Sequence, residues 1–211
     1  MVNFLVPTPT LKTFRDYAER MFGPFIRKEC SDDVRRIDVV WDRYFADSLK
    51  NYTRDKRGQG VRMKVSLDTV LPKGWPNFLR DSENKQSLFN TLAQWIVEEN
   101  WGDVQVITTC GSNAITNSVV DVVSLSQCDH EEADSRMMLH LSAVVSAGHT
   151  RALIRTGDTD VLVLAVSLVQ SIPSLQLWVQ LGTGSNQKFI SAHTIANTLG
   201  TLSSYSTICS C

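Results

Sequence analysis

The chain has no apolar run long enough to cross a bilayer. The longest, "VLVLAVSLV" at 161–169, falls well short of the roughly 18–20 residues required. Its opening, "MVNFLVPTPTLKTFRDY", lacks the basic start and small-residue cleavage site of a secretory leader. Both absences point to an intracellular protein, nuclear or cytoplasmic, with no membrane association. Net charge is nearly nil, with 21 Lys and Arg against 22 Asp and Glu, so no global field draws the chain to nucleic acid or lipid. The five Cys (30, 110, 128, 209 and 211) are odd in number and contain no CxxC pair. That argues against a disulfide scaffold and a cysteine zinc site. Cys209 and Cys211 read as a frayed tail. No Ser/His/Asp or Cys/His arrangement offers a nucleophile. His130 opens "HEEAD" without the second His four residues on that a zinc helix needs, and His140 and His149 stand at odd spacings and read as surface or half-buried. "GTG" at 182–184 is too short to cradle phosphate and reads as a hairpin turn.

What is present is an ordinary globular composition, 43% hydrophobic and 20% charged. A helix is expected from about Thr10, with Leu11, Phe14, Tyr17 or Ala18, and Met21 on one stripe, broken near Gly23–Pro24. "RIDVVWD" reads as a short buried strand, Ile37 to Trp41, with Asp42 at its carboxyl end. The only basic cluster follows: Arg43, Lys50, Arg54, Lys56, Arg57, Arg62 and Lys64. "LPKGWPNFLRDSEN" reads as loop, and "KQSLFNTLAQWIVEEN" as an amphipathic helix. "DVQVITT" is a strand, and "NSVVDVVSLS" reads as another or as a ragged extension of the sheet. "HEEADSRMMLHLSAVVSAG" is a helix stopped by Gly148. "RALIRT" is a buried strand. "TDVLVLAVSLVQ" fits strand or helix. "LQLWVQLGTGSNQKFIS" reads as two strands around a turn, and "AHTIANTL" as a short helix. Strands alternating with helices describe an α/β domain with a mainly parallel sheet, whose ligands sit beyond the carboxyl ends of the strands.

Two acidic motifs stand at such places. Asp158 and Asp160 leave the "RALIRT" strand through "GDTD", with Gly157 allowing a sharp change of direction. Two carboxylates so spaced can converge on one Mg²⁺ or Mn²⁺, which prefer oxygen ligands. The structural alternative is that Asp158 caps the next helix. In "HEEADSR", Asp129 and Glu132 have capping-box spacing, and Glu132 can pair with Arg136. Glu132 and Asp134 would point about 200° apart in mid-helix, but in a first turn their side chains can converge above the helix N-terminus.

These motifs, in this order and spacing, resemble the PIN-like and 5′-nuclease (flap-endonuclease) superfamily. There, a Glu-x-Glu/Asp motif opens a helix, an apolar strand follows and an Asp-x-Asp ends it. "VVWDRYFADSLKNYTRDKRGQG" resembles the strand-then-Asp segment of those nucleases and its basic helix. The three blocks together also resemble a set of multicopy animal proteins. The resemblance spans about residues 37 to 197. It implies a three-layer α/β/α sandwich whose parallel strands include 37–41, 104–108 and 152–156. It also implies an N-terminal helical segment (1–36), a nuclease-type domain (37–200) and a tail (201–211). It implies Mg²⁺ or Mn²⁺ held by Asp42, Glu132, Asp134, Asp158 and Asp160, as the catalytic and metal-binding set, with Lys50, Arg54, Lys56 and Arg57 near the phosphates of DNA or RNA. The expected activity is hydrolysis of phosphodiester bonds. The alternative is an inactive PIN-like module that binds nucleic acid or protein. A glycosyltransferase of the DxD type would leave the "EEAD" helix unexplained. Two departures from the superfamily count. The superfamily's earlier Asp, carried on a first strand, has no clear counterpart before Ile37, Asp16 being helical and a poor match, and "TLSSYSTICSC" stands where a later Asp would fall. Together they imply a site short of its outer acids and a fragment of a mobile-element-like gene, truncated at both ends.

Overall fold

The computed structural model describes residues 5–44, 62–126, 133–182 and 186–199. It is mixed α/β, with two three-stranded sheets, and divides into two compact units, Met1–Ala133 and Asp134–Cys211. Among the described residues no helix is long and apolar enough to cross a membrane.

The first unit opens with a helical run in three pieces: α1 (Phe14–Tyr17), a π-helical turn (Ala18–Phe22) and α2 (Gly23–Arg27). Thr13 and Asp16 form a capping box. Thr13 Oγ1 accepts the N–H of Asp16, while Asp16 Oδ2 accepts those of Thr13 and Lys12. The expected break at Gly23–Pro24 does not occur. The Gly23 N–H reaches back five residues to the Ala18 carbonyl, and Pro24, which has no N–H to offer, falls in the first turn of α2. The wide turn also shifts the buried stripe. Phe14, Tyr17 and Ala18 are followed inward by Phe22 and Ile26, while Met21 is only half-buried.

The remaining elements of this unit are β1 (Arg36–Val39), α3 (Trp75–Phe78), α4 (Ser82–Glu98), β2 (Gln105–Cys110), β3 (Asn113–Thr116) and α5 (Val123–Ser126). β2 is central, parallel to β1 and antiparallel to β3. The β2–β3 turn uses Gly111 at φ 58°, a conformation other residues adopt at a cost. Asp81 caps α4 by accepting the N–H of Asn84, and α4 lies against β2. The core is aromatic: Phe14, Tyr17, Phe22, Trp41, Trp75 and Phe89 are all buried in one cluster. Two expectations fail here. The "LPKGWPNFLRDSEN" loop contains α3, whose first turn tolerates Pro76. The strand expected in "NSVVDVVSLS" is absent. Val119, Val120 and Val123 are exposed, and Asp121 accepts the Val123 N–H to start α5.

The second unit holds α6 (Ala133–Ser146, its first residue ending the first unit), β4 (Arg151–Thr156), α7 (Thr159–Gln170), β5 (Gln176–Leu181), β6 (Lys188–Ser191) and a last helix, α8, over 192–199. Gly148, at φ 88°, ends α6 in a Schellman turn. Its N–H bonds to the Val145 carbonyl, and that of His149 to the Val144 carbonyl. The stretch that fitted strand or helix is the helix α7. It makes the crossover between the parallel strands β4 and β5, and β6 returns antiparallel. Ile154, Leu177 and Val179 bury one sheet face against Leu141 of α6, Val161 and Ala165 of α7, and Ala192 and Ala196 of α8.

The strands expected in one sheet, 37–41, 104–108 and 152–156, therefore fall into two. Each sheet has one parallel and one antiparallel pairing.

Candidate acidic site

Asp42 follows a firmly held residue. The Trp41 backbone N–H donates to Thr109 Oγ1 at 2.9 Å, its indole N–H to Thr108 Oγ1 at 3.0 Å, and its ring stacks on Phe89 at 4.7 Å. Thr108 in turn donates to the Val39 carbonyl. The backbone that presents Asp42 is thus fixed by side chains of β2 and α4. Asp42 is exposed, and its Oδ1 accepts the backbone N–H of Ala133 at 3.1 Å. Ala133 is the residue at which α6 begins, so this carboxylate satisfies one of the amides a helix start leaves open.

In the second unit, Asp134 lies in the first turn of α6 and is half-buried. Arg136 and His140, one turn apart on the same helix, are both buried, Arg136 completely. The sequence had paired Arg136 with Glu132, which lies outside the described residues, and had suggested a surface or half-buried place for His140. The signal that was missed is their i, i+4 spacing on the stripe that also leads to Leu141.

Asp158 is the N-cap of α7. Its Oδ1 accepts the Asp160 N–H at 2.9 Å, and its own N–H donates to Thr156 Oγ1 at 3.0 Å. The capping alternative therefore describes Asp158. Asp160, in the first turn, gains from the positive end of the helix and is exposed. Gly157 is not required by its geometry. Its φ is not positive, and a Cβ there would meet nothing within 4 Å.

Topology sets where these acids lie within the second unit. α6 turns through 147–150 into β4 and packs on the sheet beside it, so the helix start lies at the carboxyl end of β4. Fourteen helical residues and six strand residues each span about 20 Å. Asp134, Asp158 and Asp160 accordingly share one end of the unit. They do not form a ready cation site. Among the described residues no group of three or more His, Cys, Asp or Glu side chains is placed to hold a metal ion. Glu132 and Asp129, and the basic Lys50, Arg54, Lys56 and Arg57, lie outside the described residues. Of the other basic residues, Arg62 is ion-paired with Glu83. Asp16, the poor match to the superfamily's earlier acid, is accounted for by the capping box. The N–H groups of Lys12 and then Thr13 hold its carboxyl below the usual range.

No protein-family model, curated protein or solved structure matches the chain.

Proposed function

We propose that the chain is a PIN-like, nuclease-type protein that acts on phosphodiester bonds of DNA or RNA with a carboxylate-bound Mg²⁺ or Mn²⁺. What supports this most is that Asp158 and Asp160 leave the carboxyl end of β4, beside its parallel partner β5, where open α/β sheets bind their ligands, and that Asp134 stands in the first turn of the helix preceding that strand. The described acids do not furnish a metal site by themselves. The reading therefore needs Glu132, and it takes Asp42 as a further carboxylate. An all-oxygen donor set suits a hard divalent ion, which can stabilise charge on a phosphoryl group. Lys50, Arg54, Lys56 and Arg57 would supply sequence-independent phosphate contacts. The same reading includes one mainly parallel sheet in a three-layer sandwich.

A second reading is favoured by one specific feature. Asp158 is engaged as a cap, and no three-ligand group exists among the described residues. Both suit a non-catalytic module of the same type that binds nucleic acid. The deciding experiment is Mn²⁺-dependent cleavage of single-stranded, flapped and duplex substrates, with Asp158→Asn as control. Cleavage lost in the variant supports the nuclease. Binding without cleavage in both proteins supports the module.

A further inference from the structure

Two cavities of about 280 and 290 Å³ meet at Arg62 and Met63 in the first unit. Lys64 and Ser87 line the first, and Pro72, Lys73, Asn77 and Phe78 line the second. None of the acids of the candidate site lines either one. The wall they share is held from within. Asn84, in the first turn of α4, is 1% exposed; its Oδ1 accepts the Met63 N–H at 2.8 Å, and its Nδ2 donates to the Phe78 carbonyl at 3.1 Å. Further along, the Leu67 and Thr69 carbonyls accept the N–H groups of Arg15 and Phe14, and the Leu71 N–H donates to the Lys12 carbonyl. The segment carrying Arg62, Lys64 and Lys73 is thus tied to α4 and to the start of α1, and the cavities are formed before any ligand arrives, as small-molecule sites usually are.

We propose that the paired cavities are a binding cleft for a nucleoside monophosphate. Charge sets the first half of that class. Three cations, Arg62, Lys64 and Lys73, stand against one carboxylate, Glu83, an excess of two positive charges. Arg62 is ion-paired with Glu83, and among the described residues Lys64 and Lys73 have neither an ion pair nor a hydrogen bond. A phosphate monoester brings about −1.5 to −2 charges at neutral pH, which matches that excess. Ser87 adds a hydroxyl to the cavity that Lys64 lines. The walls set the second half. Met63, Pro72 and Phe78 are apolar, and against them the hydroxyls of a plain sugar phosphate would lie unpaired. A nucleobase covers the same wall and turns its ring nitrogens to the Asn77 amide, which both donates and accepts. Size excludes longer ligands. Each cavity falls just below the ~300–1,000 Å³ of drug-sized sites, so the two together suit one base and one phosphate rather than a strand.

The test is isothermal titration calorimetry of the full chain with adenosine monophosphate, in EDTA so that no metal-bridged contact with the acids contributes. The full chain should bind it, more weakly as salt rises. Adenosine and inorganic phosphate should each bind about tenfold more weakly or worse, since each fills one cavity only. Lys64→Met and Lys73→Met should each weaken binding of the monophosphate by about tenfold or more, while Lys64→Arg should retain most of it. Lys28→Met, at an exposed lysine outside the cleft, should bind as the parent does. All three lysines are exposed, so thermal melts should report every variant folded. The proposal is overturned if the parent does not bind at about millimolar ligand. It is also overturned if adenosine or inorganic phosphate binds as tightly as the monophosphate, or if Lys28→Met costs as much as the two cleft variants. Asp158→Asn should leave this metal-free binding untouched. Loss of cleavage and loss of nucleotide binding are therefore separate failures.

Discussion

Asp158 can be asked directly whether it only caps α7 or also serves a metal. Its Oδ1 accepts the Asp160 N–H, so Asp158→Ala removes a cap worth about 1 kcal/mol, within a range of roughly 0.5–2. For a unit of under about 100 residues, 1 kcal/mol lowers the melting temperature by about 4–8 °C. Asp158→Asn retains the capping oxygen. It loses only the interaction of the charge with the helix end, ~0.3–1 kcal/mol, part of which is returned by relief from Asp160 two residues on. In EDTA, then, the expected order is parent and Asn variant close together, with the Ala variant clearly below. Metal adds a second axis. An ion present at about a hundred times its Kd stabilises the fold that binds it by about 2.7 kcal/mol. Millimolar Mn²⁺ should therefore raise the melting temperature of the parent by several degrees and leave both variants where they were. Differential scanning calorimetry with and without Mn²⁺ reads all six values. If Mn²⁺ moves the parent no further than the variants, Asp158 is a cap and nothing more, and the metal-dependent reading fails.

Three further outcomes follow from the packing. Arg136 is completely buried, and Arg136→Ala should destabilise the protein by about 2–5 kcal/mol, because the space its long side chain fills in the interior is left empty. A urea-melt difference under about 1 kcal/mol would count against a buried structural cation. At Gly23 a Cβ would come within 2.6 Å of Trp95 Cη2, so Gly23→Ala should cost about 1–3 kcal/mol of overpacking, against roughly 1 kcal/mol regained from helix propensity. Chemical denaturation should place the variant below the parent, and equal or greater stability would show that Trp95 can yield. Tyr17 is buried, its hydroxyl donating to the Leu5 carbonyl, and burial holds its phenol well above its usual range. Its contribution is intact below about pH 10 and is lost as pH climbs toward the raised value, since the unfolded chain releases a proton that the folded one keeps. Tyr17→Phe should give up about 1 kcal/mol at neutral pH and shed part of the alkaline loss. Parallel alkaline curves for the two proteins would refute this.

The elements were readable where a single local rule governed them. Residues 85–98 carry a helical stripe, though the first turn behind the Asp81 cap read as loop, and Gly148 ends α6 with the positive φ that favours glycine. Three places were not readable, for one physical reason: the deciding partner is distant in sequence or the pattern fits two structures. Pro24 looked like a break because a lost N–H ordinarily ends a helix, but a π turn closed by Gly23 and packed on Trp95 absorbs it. The β-branched run around Val119 looked like strand, yet a strand needs a neighbour to pair with, and those valines are exposed. The assortment of strands into two sheets is likewise a matter of long-range pairing that periodicity does not encode.

The acids are the sharpest case. A helix N-terminus and a divalent cation both select short carboxylates at the same sequence positions, because both present positive charge to oxygen. Asp158 and Asp42 are each bound to a backbone amide at a helix start, so in this structure the amide has answered the demand that the motif expressed. A metal at that end of the second unit would have to compete with the Asp160 N–H for Asp158 or use the oxygen it leaves. Competition predicts weak metal binding that strengthens when the amide is removed from contention. Use of the remaining oxygens predicts that cap and ion coexist. Under coexistence Asp158→Asn abolishes the metal response while the α7 cap persists, and amide exchange at Asp160 stays slow in both proteins. Under competition Mn²⁺ itself should speed exchange at Asp160 in the parent.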